Sequence, residues 1–170
     1  MQSFKPRRSS PRLKDFAYQG YHAYMVTMTT HDRRPFFRDP SLIEDCLALL
    51  VSLAGTSLHE VVAYCFMPDH LHLLLQGTSE TADIAPFLKK FKQITGYRFK
   101  QASGGQLWRR SYHDHVLRRE EDIAEVAAYI WNNPVRAGLA ESCESYPYSG
   151  PRGAFLDRPE GLSLRGGTAG

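Results

Sequence analysis

The sequence predicts an α+β fold in which helices pack on an antiparallel sheet in the split βαβ, ferredoxin-like order. Three observations lead there: short apolar runs rich in aromatic and β-branched residues, longer stretches with apolar residues at helical spacing, and an order of elements reading β-α-β-β-α-β-α. With 170 residues, 42% hydrophobic and 12% aromatic, the chain can bury one sizeable core, and one main domain over residues 18–149 is expected. Residues 1–17, with two prolines, three serines and a basic cluster, read as a flexible arm, and the glycine- and arginine-rich residues 150–170 as a poorly ordered tail.

Tyr21 to Thr30 (YHAYMVTMTT) has the residue types that fit a pleated surface and predicts the first strand. Ser41 and Glu44 form a capping box ahead of Leu42, Ile43, Cys46, Leu47, Leu50 and Leu53 at helical spacing, and Gly55 is the expected stop. His59 to Met67 (HEVVAYCFM) predicts a second strand, with a turn at Pro68-Asp69 before a third that begins at His70. From about Thr81 to Ser103, Ile84, Phe87, Leu88, Phe91 and Ile94 make an apolar stripe with Lys89, Lys90 and Lys92 largely off it. Tyr112 to Leu117 alternates as a fourth strand. The acidic block Glu120, Glu121, Asp122 and Glu125 opens a third helix, because negative charge complements a helix N-terminus. That helix buries Ile123, Val126, Ala127 and Ile130 and is expected to end near Asn133, since Pro134 disfavours helix for the residue before it. In this arrangement the helices cover one sheet face and leave the other available.

The formal charge of +3 is segregated: residues 1–14 carry Lys5, Arg7, Arg8, Arg12 and Lys14 with no acid, which leaves 3 − 5 = −2 for the rest. With Lys89, Lys90, Lys92, Arg109 and Arg110, these clusters point to a polyanion partner, although single basic runs are commonly solvated faces. Cys46, Cys65 and Cys143 are odd in number, far apart and without a Cys-x-x-Cys pair or a leader ahead of them, so free thiols in the cytoplasm are expected. No apolar run approaches the roughly 18 residues that a membrane span needs.

Chemistry concentrates in two segments. In Met67-Pro68-Asp69-His70-Leu71-His72-Leu73-Leu74-Leu75, His70 and His72 stand two apart on a strand and share a face, while Leu71, Leu73 and Leu75 point into a core. Such a pair suits either a metal or two hydrogen-bonded histidines near a turn. In Tyr129-Ile130-Trp131-Asn132-Asn133-Pro134, Tyr129 and Asn133 stand four apart on one helix face. They suit either a nucleophile and a third metal ligand or a core tyrosine and a helix cap, and spacing alone does not separate the two.

The combination of MPDHLHLLL, WRRSYHDHVLRREED and YIWNNPVRAGL, spread over roughly Tyr18 to Tyr148, resembles the REP-associated tyrosine transposases. These are a branch of the single-strand transposases of bacterial insertion sequences, within the HUH endonuclease group. The resemblance implies that His70 and His72 bind a divalent metal, that Asn133 completes the site, and that Tyr129 attacks DNA to give a covalent 5′-phosphotyrosine. Leu71 supplies the bulky apolar middle of the HUH triplet. Mixed nitrogen and oxygen ligation suits Mg2+ or Mn2+. The implied partner is single-stranded, REP-like hairpin DNA, with Arg7, Arg8, Arg12, Lys89, Lys90, Lys92, Arg109, Arg110, Trp108, Tyr112, His113 and His115 as candidate DNA contacts. No membrane partner is expected, and the resemblance implies a monomer, as in much of the REP-associated branch, over the dimer of insertion-sequence relatives.

Two other readings compete. A non-catalytic single-stranded nucleic-acid-binding module would use an open, RRM-like sheet to stack bases, although the aromatic and glycine signature of that sheet is missing. A zinc hydrolase would need a carboxylate base and a third strong ligand. Asp69 alternates to the opposite side of the strand, and no His-Glu-x-x-His occurs.

Overall fold

The computed structural model describes residues 19–117 and 122–151. The expected basic arm with Arg7, Arg8 and Arg12, and the tail beyond Pro151, lie outside the described residues.

Five strands form one antiparallel sheet in the order β4-β1-β3-β2-β5: β1 (Ala23–Thr29), β2 (His59–Met67), β3 (His70–Gly77), β4 (His113–Val116) and β5 (Ser149–Gly150). Two long helices, α1 (Pro40–Thr56) and α2 (Ile84–Ser103), connect them, followed by α3 (Ile123–Trp131) and the four-residue α4 (Asn133–Arg136). The predicted α+β order therefore holds, with β5 as an unexpected short edge strand.

Alternation sorts the strand residues onto two faces. Tyr24, Val26 and Met28 join Leu71, Leu73, Leu75 and Phe66 in a core with Ile43, Leu50, Leu88 and Phe91 from α1 and α2. Ala23 and Met25 join Leu74, Ala63, Cys65 and Met67 in a second core with Val126, Ala127 and Ile130 of α3. The second face is thus not left open as expected: α3 lies over β2 and β3 and covers part of it. The strand residues on this face include no Phe, Tyr or Trp, so it lacks the aromatic platform that an RRM-like sheet would use.

Each of the first three α-helices is capped by an aspartate, which at α1 replaces the capping box expected at Ser41. Asp39 accepts the Ser41 N–H at 3.0 Å with Pro40 in the first turn, Asp83 accepts the Ala85 N–H at 3.0 Å, and Asp122 accepts the Ala124 N–H at 2.7 Å. A side-chain oxygen two residues ahead satisfies a donor that the first helical turn leaves unpaired. α1 runs through Gly55, whereas α2 ends at Gly104, whose φ of 72° is the left-handed closure that glycine adopts freely. Pro134 ends α3 two residues early, at Trp131, and sits in the first turn of α4. The C-terminal stretch is tied back by the Tyr146 hydroxyl donating to the Phe66 carbonyl at 2.7 Å and the Trp131 indole donating to the Gly150 carbonyl at 3.2 Å. None of the three cysteines forms a disulfide, and among the described residues no helix is long and apolar enough to cross a membrane.

Candidate active site

The turn between β2 and β3 delivers the first part of the site. It is held from outside: Thr30 donates its N–H and its hydroxyl to the Asp69 carbonyl, each at 2.9 Å, and the Phe37 N–H reaches the Pro68 carbonyl at 3.1 Å. On the sheet face away from α1 and α2, His70 Nε2 and His72 Nε2 stand 3.0 Å apart. His70 Nδ1 contacts Asp69 Oδ1 at 2.6 Å, and His72 Nδ1 contacts the Thr27 hydroxyl at 3.0 Å across the β1–β3 pairing.

Asp69 does not point away as strand parity suggests. It lies in the turn, where alternation does not apply, and its second oxygen accepts from Arg33 Nη1 at 3.2 Å. Arg33 and Asp32 both take left-handed backbone at φ 52°, a conformation that costs about 1 kcal/mol or more for a non-glycine residue. Burial alone would raise the Asp69 carboxyl, but the hydrogen bonds and charges of His70 and Arg33 outweigh it and hold the group below its ordinary value.

These contacts set the tautomers. An ionised carboxylate only accepts, so His70 Nδ1 carries the proton and Nε2 presents a lone pair. His72 Nε2 then donates to it, and His72 Nδ1 accepts from Thr27. Because a hydroxyl can donate or accept, Thr27 allows the opposite His72 tautomer, which turns both Nε2 lone pairs toward one point. A nitrogen separation of 3.0 Å suits neighbouring ligands of an octahedral ion with bonds of about 2.1 Å, and Asp69 and Thr27 stand where outer partners orient ligating imidazoles. Among the described residues no group of three or more His, Cys, Asp or Glu could hold a metal.

Burial, the neighbouring His70 and the positive charge of Arg136 push the His72 imidazole down to about 3 from an ordinary value of 6.5, against the opposing charge of Asp69. His72 is 8% exposed. As pH falls below 6.5 the unfolded chain takes up a proton at His72 that the folded chain refuses, so stability drops until the folded group also titrates. Denaturant unfolding should therefore show a loss of about 1.6 kcal/mol between pH 6.5 and pH 5 that is removed by His72→Gln. Equal pH slopes in the two proteins would contradict this linkage.

The second part of the site comes from α3 and α4. Tyr129 and Asn133 are half-buried. Asn133 Nδ2 donates to the Ile130 carbonyl at 3.2 Å, and its Oδ1 accepts from Arg136 Nη2 at 2.7 Å. Arginine only donates and a carbonyl only accepts, so the amide orientation is settled by its partners. Oδ1 keeps a second lone pair. Arg136 also donates to the Tyr129 carbonyl at 3.1 Å and stacks on the Tyr129 ring, with Cζ 3.9 Å from the centroid. Arg136 is the residue that the sequence reading missed. Its signal was its position seven after Tyr129 and three after Asn133, hidden because Pro134 appeared to end the helical stripe.

The remaining candidates divide. Thr27 lies opposite His72 on one side and His113 on the other, so His113 shares the sheet face of the histidine pair, as does His115 opposite Met25. His113 is exposed and His115 half-buried. Arg109 and Arg110 are exposed, and the Arg109 N–H bonds to the carbonyl of Thr29, which faces His70, so this basic pair sits at the histidine end of the sheet. Lys92, half-buried, donates to the Arg109 and Arg110 carbonyls at 2.7 and 3.2 Å and lies 5.7 Å from the Tyr112 ring, so it holds this segment in place. Desolvation lowers its amine below the ordinary value. A cleft of about 450 Å³ runs between α2 and this segment, with Lys92, Lys100, Arg109 and Arg110 in its wall. Lys89 and Lys90 are exposed on α2.

Trp108 requires correction as a base-stacking candidate. It is 4% exposed, its indole donates to Thr95 Oγ1 at 2.8 Å, and its ring packs on Phe37 and Phe91. Its bridge to Thr30 draws it into the core, so it anchors the basic segment from beneath. The other tryptophan, the half-buried Trp131, ties α3 to Gly150 through its indole.

Comparison with known proteins gives this geometry a family. The model of the family described as "Transposase IS200 like" matches residues 18–133. A Haemophilus influenzae protein provisionally named a REP-associated tyrosine transposase is 32% identical over 102 residues, covering 53% of this chain and 57% of the relative, little more than half its length. A second, functionally uncharacterized protein of that species is 30% identical over 161 residues, covering 75% of this chain and 88% of its own. A solved structure of a REP-associated tyrosine transposase bound to a REP hairpin superposes with a TM-score of 0.64 at 18% identity, over 84% of this chain and 82% of that one, and so shares the fold. Because the family match runs from before the first strand to Asn133, across both the histidine strand and the Tyr129 helix, the chain belongs to the IS200-like transposase family.

Proposed function

We propose that this protein is a metal-dependent single-stranded DNA transposase that cleaves and rejoins REP-like hairpin DNA through a 5′-phosphotyrosine at Tyr129. The observation that carries the reading is the convergence of two Nε2 atoms, 3.0 Å apart, on the sheet face over which the helix of Tyr129 packs. His70 and His72 would hold Mg2+ or Mn2+, with Asn133 Oδ1 as the third protein ligand. The chemistry such an ion would supply is Lewis-acid polarisation of the scissile phosphate and compensation of its growing charge.

The chain's own groups do the rest. Tyr129 Oη attacks phosphorus as it gives up its proton, the P–O3′ bond breaks, and the leaving oxygen departs as a 3′-hydroxyl after protonation. The phosphotyrosine keeps the energy of the broken ester, so a DNA 3′-hydroxyl can attack it, reseal the strand and release the phenol without ATP. A phenol with an ordinary pKa of about 10 is a weak nucleophile near neutrality, which is why the site must concentrate positive charge at the phosphate. His113 and His115 lie on the same face as candidate contacts to the strand.

The test is incubation of the full chain with manganese and single-stranded hairpins labelled at either end, followed by denaturing electrophoresis. The expected result is protein carrying the 3′-end label and a shorter free fragment carrying the 5′-end label. Unlabelled protein, or protein carrying the 5′-end label, would refute the proposal.

Arg109 and Arg110, at the histidine end of the sheet, are expected to contact the DNA backbone. The double substitution Arg109→Ala/Arg110→Ala should weaken hairpin binding and lower the slope of log K against log salt by about 1.4, since each lost single-strand phosphate contact removes about 0.7. A slope equal to that of the unmodified chain would remove these residues from the interface.

A further inference from the structure

We propose that Arg136 is a positioning residue that clamps Tyr129 and Asn133 into one unit beside the histidine pair. This inference rests on the reading of Tyr129 as the nucleophile. Three contacts meet in the one guanidinium: the face of the Tyr129 ring at 3.9 Å, the Tyr129 carbonyl at 3.1 Å and Asn133 Oδ1 at 2.7 Å. The first restrains the torsions that swing the phenol, and the third turns the amide oxygen to one side while the Ile130 carbonyl holds the amide nitrogen. α3 breaks at Asn132 between the tyrosine and the arginine, so helix backbone alone does not lock the two groups together. Arg136 spans that break. The clamp lies at the end of α3, which packs against β2 and against β3, the strand that carries the two imidazoles. A planar, forked cation suits this task, because it stacks on a ring while directing N–H groups sideways to two oxygens, and a lysine ammonium cannot do both.

A bland alternative is a basic residue satisfying carbonyls at a helix end, which a lysine would also serve. The experiment separates the two. Single-turnover adduct formation at saturating hairpin should slow about 10- to 100-fold in both Arg136→Ala and Arg136→Lys, with hairpin Kd unchanged within about threefold. Unchanged rates in either variant would overturn the clamp, as would a fall in affinity that accounts for the whole loss. A second measurement does not depend on turnover. In 15N-labelled protein the Arg136 side-chain N–H signals should lie upfield, under the Tyr129 ring current, and return to ordinary positions in Tyr129→Leu. Signals that do not move in that variant would overturn the clamp. If the unmodified chain forms no adduct, the transposase reading falls, and this second measurement still decides whether the clamp exists.

Discussion

Tyr129→Phe is expected to bind hairpin DNA within about twofold of the unmodified chain and to form no covalent adduct. The substitution removes one oxygen and keeps everything else that the residue does in the fold. Its ring stays under the Arg136 guanidinium, 3.9 Å away, and its carbonyl still accepts from Arg136. Tyr129 is half-buried, and the apolar anchors of its helix are Val126, Ala127 and Ile130, which the substitution does not touch. Stability should therefore change little, and circular dichroism and hairpin binding report whether it has. The chemical effect is of another size: without the oxygen no phosphotyrosine can form, so the adduct rate should fall by at least about 10⁴-fold, equivalent to about 5 kcal/mol of barrier. Electrophoresis of labelled DNA measures it directly. Adduct persisting at a tenth of the original rate would mean that another tyrosine attacks, and would move the nucleophile away from this helix.

The parts of the fold that were legible in the sequence are those fixed by local periodicity. Short runs of residues that suit a pleated surface located β1 and β2, alternation set the faces of β3, and the Pro68-Asp69 turn set its start, because a one-residue slip there would have turned Leu71, Leu73 and Leu75 away from α1 and α2. The helix starts were misread where an aspartate ahead of a helix competes with a capping box inside it, as at Asp39 against Ser41 and Glu44. Coverage of the second face by α3 depends on where the chain returns after β4, and nothing in the local pattern encodes that. The site shows the same division. His70 and His72, and Tyr129 with Asn133, stood out because each pair obeys the period of its own element. Asp69, Thr27 and Arg136 did not: one sits in a turn, one is brought in by a neighbouring strand, and one lies beyond a proline. Trp108 shows the reverse error, since an aromatic beside two arginines looks like a nucleic-acid contact until the bridge to Thr30 buries it.

His70→Ala is expected to remove metal binding and strand cleavage while leaving the sheet intact. The His70 side chain is 22% exposed at the first position of β3, and the leucines that hold that strand in the main core face the other way. Truncation takes one of the two converging nitrogens and leaves His72 with a single imidazole that Thr27 still orients. One neutral nitrogen and one amide oxygen make a poor site for Mg2+ or Mn2+, so calorimetric manganese affinity should fall by more than about 100-fold, beyond the loss typical of an outer partner. The adduct rate should fall about 10³-fold, near 4 kcal/mol. Asp69→Asn is the informative companion. Its amide oxygen can still accept from His70 Nδ1, but the charge that makes the imidazole a stronger donor to a cation is gone, so a loss of about tenfold is expected. The order of the two variants matters more than either value. If His70→Ala binds manganese as the unmodified chain does, the two nitrogens 3.0 Å apart are only a hydrogen-bonded pair, and the charge needed at the scissile phosphate must come from the arginines around it.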